Sequence, residues 1–277
     1  MPYVRTGLGR WFFEEVGVQK AKEDATIVLL PSLLCDGGMW RGQVAPLADL
    51  GRVLVIDNPG HGKTEVPPPF TLEEHAVALL QAFDQLAVPR AVLVGLSWGG
   101  MLAMRVAISH PERLAAMAIF DTNADGPTVR ERIEYRALLA LARRIGLPPL
   151  LVRRKILPLM FSPHTLSGDP AIVEDFMRSL GGFSIEGLAR ATTAVSIERT
   201  TIVDALRTVS IPTLVGCGTE DIASPPVHSR RIASRVLGAT LVMVEGAGHL
   251  SALEKPTEVN AALIPFVRRH LAARAQN

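Results

Sequence analysis

The chain has 277 residues, 48% hydrophobic and 20% charged, with a formal net charge of +2 at pH 7. That length and apolar fraction are enough for one large core, or for a core carrying an insertion. A balance so close to neutrality argues against a nucleic acid or a membrane surface as partner and leaves a small molecule as the expected one. The opening stretch MPYVRTGLGRWFFEE turns charged before a long apolar run can form. No window approaches the roughly 18 apolar residues of a membrane span, so a cytoplasmic location is expected. Cys35 and Cys217 are the only cysteines, and they fall in separate predicted segments, which excludes a disulfide framework.

Short apolar runs bounded by Gly, Pro and Asp predict strands at 11–15, 26–30, 53–56, 91–94, 116–120, 213–217 and 241–244. Several are almost continuous in Val, Ile and Leu, as in strands covered on both faces of a parallel sheet. Helical patterns alternate with them at 71–87, 101–110 and 227–236, and again from Pro256, so the fold class is α/β. Residues 121–211 break the alternation. They contain no convincing strand, and their helical patterns are interrupted by Pro148-Pro149, Pro158, Pro163, Pro170 and Gly181-Gly182. The expected organisation is a core domain from 1–121 and 211–277, with 122–210 inserted as a helical cap over the carboxyl ends of the strands, where open α/β sheets place ligands.

Gly95-Leu96-Ser97-Trp98-Gly99 follows the run at 91–94 and precedes a helical pattern. A strand, a sharp turn and a helix in that order form the setting of a nucleophile elbow, where glycines two places either side of the serine let strand and helix approach. A serine hydroxyl needs a base to take its proton and a carboxylate to orient that base. Asp221 follows the strand at 213–217, and His249 lies in Gly246-Ala247-Gly248-His249-Leu250 after the last strand. Serine, acid, histidine is the chain order of an α/β-hydrolase.

On these motifs the chain resembles the α/β-hydrolase superfamily from about Thr26 to its C-terminus. Gly218, Asp221 and Pro225 match the spacing of the superfamily's acid loop. Gly248-His249 with Glu254-Lys255-Pro256 matches its histidine loop, and Asp57-Asn58-Pro59-Gly60-His61-Gly62 resembles the loop after its fourth strand. Within it, the chain is similar to 3-oxoadipate enol-lactonases and small carboxylesterases through Ser32-Leu33, Asp36, Met39-Trp40 and the elbow. It departs from that group at Pro31 and at Trp98. The resemblance implies a mostly parallel, eight-stranded type of sheet flanked by helices. It also implies an oxyanion hole built from the backbone N–H groups of Leu33 and Trp98. Trp98, Leu34 and Leu250 are the expected substrate-lining side chains.

The remaining histidines read as structural: His61 in its Gly-rich loop, His110 at a helix end, and His75, His164, His228 and His270 on helices or in the cap. Asp121 and Asp125 are rivals to Asp221 for the acid, and Asp57 reads as a turn former at a strand end. Residues 130–155 carry eight basic and two acidic side chains. They read as a solvated face, with the sharper alternative that one or two turn inward to clamp a substrate carboxylate. No spacing suggests a metal or a dinucleotide, so neither metal nor cofactor is expected. The chemistry read here is cleavage of a small ester or lactone through an acyl-enzyme. A cofactor-free haloperoxidase or perhydrolase, an acyltransferase, and a ligand-binding receptor with little turnover stay open on the same residues, as does a monomer or a homodimer.

Overall fold

A computed structural model of the protein describes residues 2–18 and 25–272. Eight strands among them are β1 (Tyr3–Thr6), β2 (Gly9–Val16), β3 (Thr26–Leu30), β4 (Val53–Ile56), β5 (Ala91–Leu96), β6 (Leu114–Phe120), β7 (Thr213–Gly218) and β8 (Thr240–Val244). They lie side by side in the order β1-β2-β4-β3-β5-β6-β7-β8. The β1–β2 and β2–β4 pairs are antiparallel and the other neighbours are parallel. All seven expected strands form. β1 is an addition, since four residues are too few for a period to show. It exists through pairing with β2 across a turn that puts Gly9 at φ +106°, a conformation glycine takes without strain.

Alternation along the strands sorts their side chains into two cores. Val28, Leu30, Leu54, Ile56 and Leu93 enter one, while Ile27, Leu29, Val53, Val55, Val92 and Val94 enter the other, because successive residues of a strand face opposite sides. Helices α1 (Arg41–Ala48), α2 (Leu72–Gln85) and α3 (Trp98–Ser109) divide between these faces. Leu79 and Phe83 of α2, with Leu102 and Met104 of α3, close the first core, whereas Leu47 of α1 enters the second. Each fully buried Leu, Phe or Met side chain contributes about 1.5–3 kcal/mol by leaving water.

Between β6 and β7 the described chain is helical and holds no strand. It runs through α4 (Val129–Ile145), short turns, α5 (Pro170–Gly181) and α6 (Ile185–Thr192), which continues as a π-helical turn over Thr193–Ile197. Then come α7 (Pro226–Arg235) and α8 (Pro256–Leu271), the latter closing the second core with Val259, Leu263 and Val267. The helical stretch rests on loops that leave the carboxyl ends of strands. Ser179 donates to Asp36 at 2.7 Å, Leu250 N–H donates to Met160 at 3.1 Å, and Gly187 packs on Gly60 so tightly that a Cβ on Gly60 would lie 2.8 Å from the Gly187 Cα.

Candidate active site

Ser97 sits between β5 and α3 at φ +52°, ψ −107°. A side-chain-bearing residue in that region costs of order 1–3 kcal/mol, so its surroundings must hold it. They do so on several sides. Ser97 N–H donates to Phe120 at 2.9 Å, and the Ser97 carbonyl accepts from Thr122 Oγ1 at 2.7 Å and from Met101 N–H at 2.9 Å. A Cβ on Gly95 would lie 2.2 Å from the Gly99 carbonyl carbon, and one on Gly99 would lie 2.3 Å from the Leu30 oxygen. No other residue fits at either place, which is the physical content of the Gly-x-Ser-x-Gly spacing.

The Ser97 hydroxyl donates to Nε2 of His249 at 2.9 Å, and His249 Nδ1–H donates to both oxygens of Asp221 at 3.0 and 3.1 Å. All three residues are buried. Asp221 also accepts the N–H groups of Ala223 and Ser224, at 2.9 and 2.8 Å, which fixes its carboxylate as the acid loop turns. Burial pulls the His249 pKa down, but the charge and hydrogen bond of Asp221 outweigh that, so the imidazole stands above its ordinary value. The histidine loop is held by Glu254, whose carboxylate accepts Gly248 N–H and Ser162 N–H, each at 2.9 Å. The Gly-His and Glu-Pro motif is thus a clasp between this loop and the helical stretch.

Asp121, the rival acid, lies apart from the imidazole's hydrogen bonds. It accepts Gly218 N–H at 2.7 Å, Ser251 N–H at 3.3 Å and the Ser251 hydroxyl. It therefore ties the acid loop to the segment after His249, and burial, with Asp221 nearby, raises its pKa well above the usual carboxylate range. Asp121, Cys217 and Asp221 bring their side-chain ligand atoms within 4.8 Å of one another. Backbone and serine donors, or His249, engage the oxygens, and burial pushes the Cys217 thiol up to about 12. The trio is organised by hydrogen bonds and favours a thiol over a metal-binding thiolate. Both cysteines are free.

Beside the serine, the loop after β3 makes a tight turn in which Cys35 N–H donates to Ser32 at 3.2 Å and Leu34 has φ +67°, as at the third position of a type II turn. Three contacts hold this turn, one from the elbow and two from the loop after β4. The Pro31 carbonyl accepts Gly99 N–H at 3.2 Å and Asn58 Nδ2 at 2.8 Å, and Leu34 N–H donates to Nε2 of His61 at 3.2 Å. His61 Nδ1 lies 3.2 Å from the Pro59 carbonyl, so the proton resides on Nδ1 and Nε2 is the acceptor. Burial holds this ring's pKa down at about 4, keeping that neutral form. The N–H groups of Leu33 and of Trp98, the first residue of α3, find no acceptor among the described residues. The structural reading of His61 becomes specific here, and neither its partner nor that of Asn58 is visible in local sequence.

The three expected substrate-lining side chains differ. Leu250 is fully buried in the second core, and Leu34 is half-buried at its turn. The Trp98 indole is fully buried, stacked on Phe70 and set edgewise against His61 and His75. His75 is buried too, with neither ring nitrogen partnered among the described residues, and burial lowers its pKa to about 3. Asp57 is the expected turn former, accepting Gly37 and Lys63 N–H groups at 2.8 and 2.9 Å. All eight basic side chains of residues 130–155 are exposed, and Arg130, Arg143 and Arg153 pair with Glu134, Glu186 and Glu174. The inward clamp is not formed, because α4 buries none of its residues.

Comparison with known proteins follows the same lines. The chain is 28% identical to 3-oxoadipate enol-lactonase 2 of Acinetobacter baylyi over 244 residues, 88% of each chain. Its structure is similar to that of a thermophilic esterase from Thermogutta terrifontis, with a TM-score of 0.89, 28% identity, and 98% and 100% of the two chains covered. It is similar also to the enol-lactonase from Burkholderia xenovorans LB400, with a TM-score of 0.87, 28% identity, and 96% and 99% covered. No helix among the described residues is long and apolar enough to cross a membrane. The alpha/beta hydrolase family profile matches residues 27–262, and with the eight-stranded, mostly parallel sheet flanked by helices, the chain belongs to the alpha/beta hydrolase family.

Proposed function

We propose that the protein is a serine hydrolase that cleaves a small carboxylic ester or lactone through an acyl-enzyme, without a cofactor. The observation that carries this reading is the unbroken relay from Ser97 Oγ through His249 to Asp221, with links of 2.9 and 3.0 Å. Ser97 Oγ attacks the carbonyl carbon as its proton passes to His249 Nε2, and the charge gathers on the former carbonyl oxygen. The unclaimed N–H groups of Leu33 and Trp98 receive that oxyanion. When the tetrahedral intermediate collapses, the carbon–oxygen bond to the leaving alkoxide breaks and His249 returns the proton to it. A lactone gives the same acyl-enzyme with its hydroxyl still attached to the acyl chain. Water then attacks the ester on Ser97 and gives a proton to His249; the bond from the acyl carbon to Ser97 Oγ breaks as His249 passes that proton to Oγ, which releases the acid and restores the serine.

In this reading Asp221 holds the imidazole in the tautomer with its proton on Nδ1 and stabilises the cation that forms. Trp98 gives its N–H to the reaction and its indole to the packing beneath. Residues 122–210 act as a cap, and Leu34, half-buried at its turn, borders the substrate. Names of relatives support the substrate class: two similar proteins are called enol-lactonases and one an esterase. The test is steady-state turnover of p-nitrophenyl acetate and of a graded series of lactones by the wild type and by Ser97→Ala. Sustained turnover that Ser97→Ala abolishes supports the reading. A single turnover followed by silence would assign the fold to ligand binding instead.

A further inference from the structure

We propose that the outer face of α4 docks the protein onto an anionic lipid surface. Seventeen residues long, α4 buries none of them. Only Tyr135, Leu139 and Ala142 are half-buried, where the helix packs on α6 and the π-helical turn. Its exposed side carries Val129, Ile133, Leu138, Leu141 and Ile145, with Val129 74% and Ile133 62% exposed. Five of the fourteen exposed large apolar side chains among the described residues thus lie on this one helix. Scattered singly such residues need no explanation, but gathered like this they mark a contact surface.

Charge decides the kind of contact. At about 100° per residue these apolar side chains spread over one half of α4, with Arg130, Glu134 and Arg144 among them and Arg132, Arg136 and Arg143 along one edge. Arg132, Arg136, Arg144, Arg154 and Lys155 make no ion pair among the described residues. A second copy offers α4 only Glu131 and Glu134 to offset Arg130, Arg132, Arg136, Arg143 and Arg144, so cations would outnumber anions across such a contact. An anionic lipid surface meets both features at once, with phosphates facing the guanidinium groups and acyl chains receiving the leucines and isoleucines. The near-neutral balance of the whole chain hides this local excess.

The test is flotation with vesicles of pure phosphatidylcholine and with vesicles in which about one third is phosphatidylglycerol. The wild type is compared with Arg132→Glu/Arg136→Glu and with Ile133→Ser/Leu141→Ser. All four positions are exposed, so unchanged melting temperature and ester turnover show that each variant is folded. The wild type floats with the anionic vesicles and not the neutral ones, and binding weakens with salt. Each variant lowers partitioning on the order of tenfold or more. Failure to bind anionic vesicles, equal binding to both kinds, or variants that bind like the wild type overturns the proposal. So does a dimer seen by sedimentation that Ile133→Ser/Leu141→Ser dissolves while vesicle binding is absent, which would give the face to a second copy.

Discussion

Gly95 and Gly181 are chemically identical and occupy opposite kinds of ground. At the elbow a Cβ on Gly95 would meet Gly99 backbone atoms at 2.2 Å, while at the end of α5 a Cβ on Gly181 would meet nothing within 4 Å. Where strand, turn and helix are pressed together, sterics dictate the residue, and the serine held there has its geometry imposed from all sides. In the helical stretch between β6 and β7, the residues answer to the solvent side as much as to packing. The elbow holds the serine hydroxyl in place, and the helical stretch presents an exposed face.

The largest expected effect lies at the elbow: Ser97→Ala lowers kcat/KM by about 10⁴-fold or more. Asp221→Asn costs a loss on the order of 10⁴-fold, because the imidazole then loses the partner that fixes its tautomer. It also moves the acid limb of the rate–pH profile. The base must be neutral, and in the wild type its pKa lies above the ordinary histidine value, so activity falls as pH drops through that raised value. In Asp221→Asn the limb shifts to lower pH.

On stability the comparison sharpens further. Gly95→Ala destabilises by more than about 4 kcal/mol or yields no soluble protein, whereas Gly181→Ala changes the melting free energy by no more than about 1 kcal/mol. Equal effects at the two glycines would erase the distinction drawn here.

His75 belongs with the elbow, packed edgewise on Trp98. Its ordinary value is 6.5 and burial takes it to about 3. Between those values the unfolded chain holds a proton that the folded ring refuses. Stability is therefore full above about pH 6.5 and is lost as pH falls toward 3, at up to about 1.4 kcal/mol per unit from this residue. His75→Phe flattens that slope in urea melts taken at successive pH values. The smallest effect is at His61: His61→Phe removes the acceptor for Leu34 N–H, loosens the turn carrying Leu33, and lowers kcat on the order of tenfold with KM moved less. His61→Gln, which can still accept the bond, recovers part of the loss.

How far the sequence could be read follows from the same contrast. The Ser97 elbow, the strands at its sides and the placing of Asp221 and His249 were legible because each rests on a local rule: glycine spacing, an apolar run, or a strand-end loop. The hydrogen bonds of Asp121 to Gly218 and Ser251 join residues 97 and 130 positions apart, and those of Asn58 to Pro31 and His61 to Leu34 span 27 positions. No window of sequence contains both partners. Strand β1 was missed for a different reason, having four residues and one buried side chain, Val4, within it. Residues 130–155 were read as mostly solvated, which the exposure of all eight basic side chains bears out. Their apolar companions were not picked out, because chain-wide charge averages over a surface that is local.

The central claim is that Ser97 carries the acyl group during turnover. Intact-mass and peptide-mass analysis of the protein quenched during reaction with p-nitrophenyl acetate tests it most directly. The account predicts a single acetyl adduct on the peptide containing Ser97, absent in Ser97→Ala. Turnover that proceeds with no adduct at Ser97, or that persists undiminished in Ser97→Ala, would contradict it.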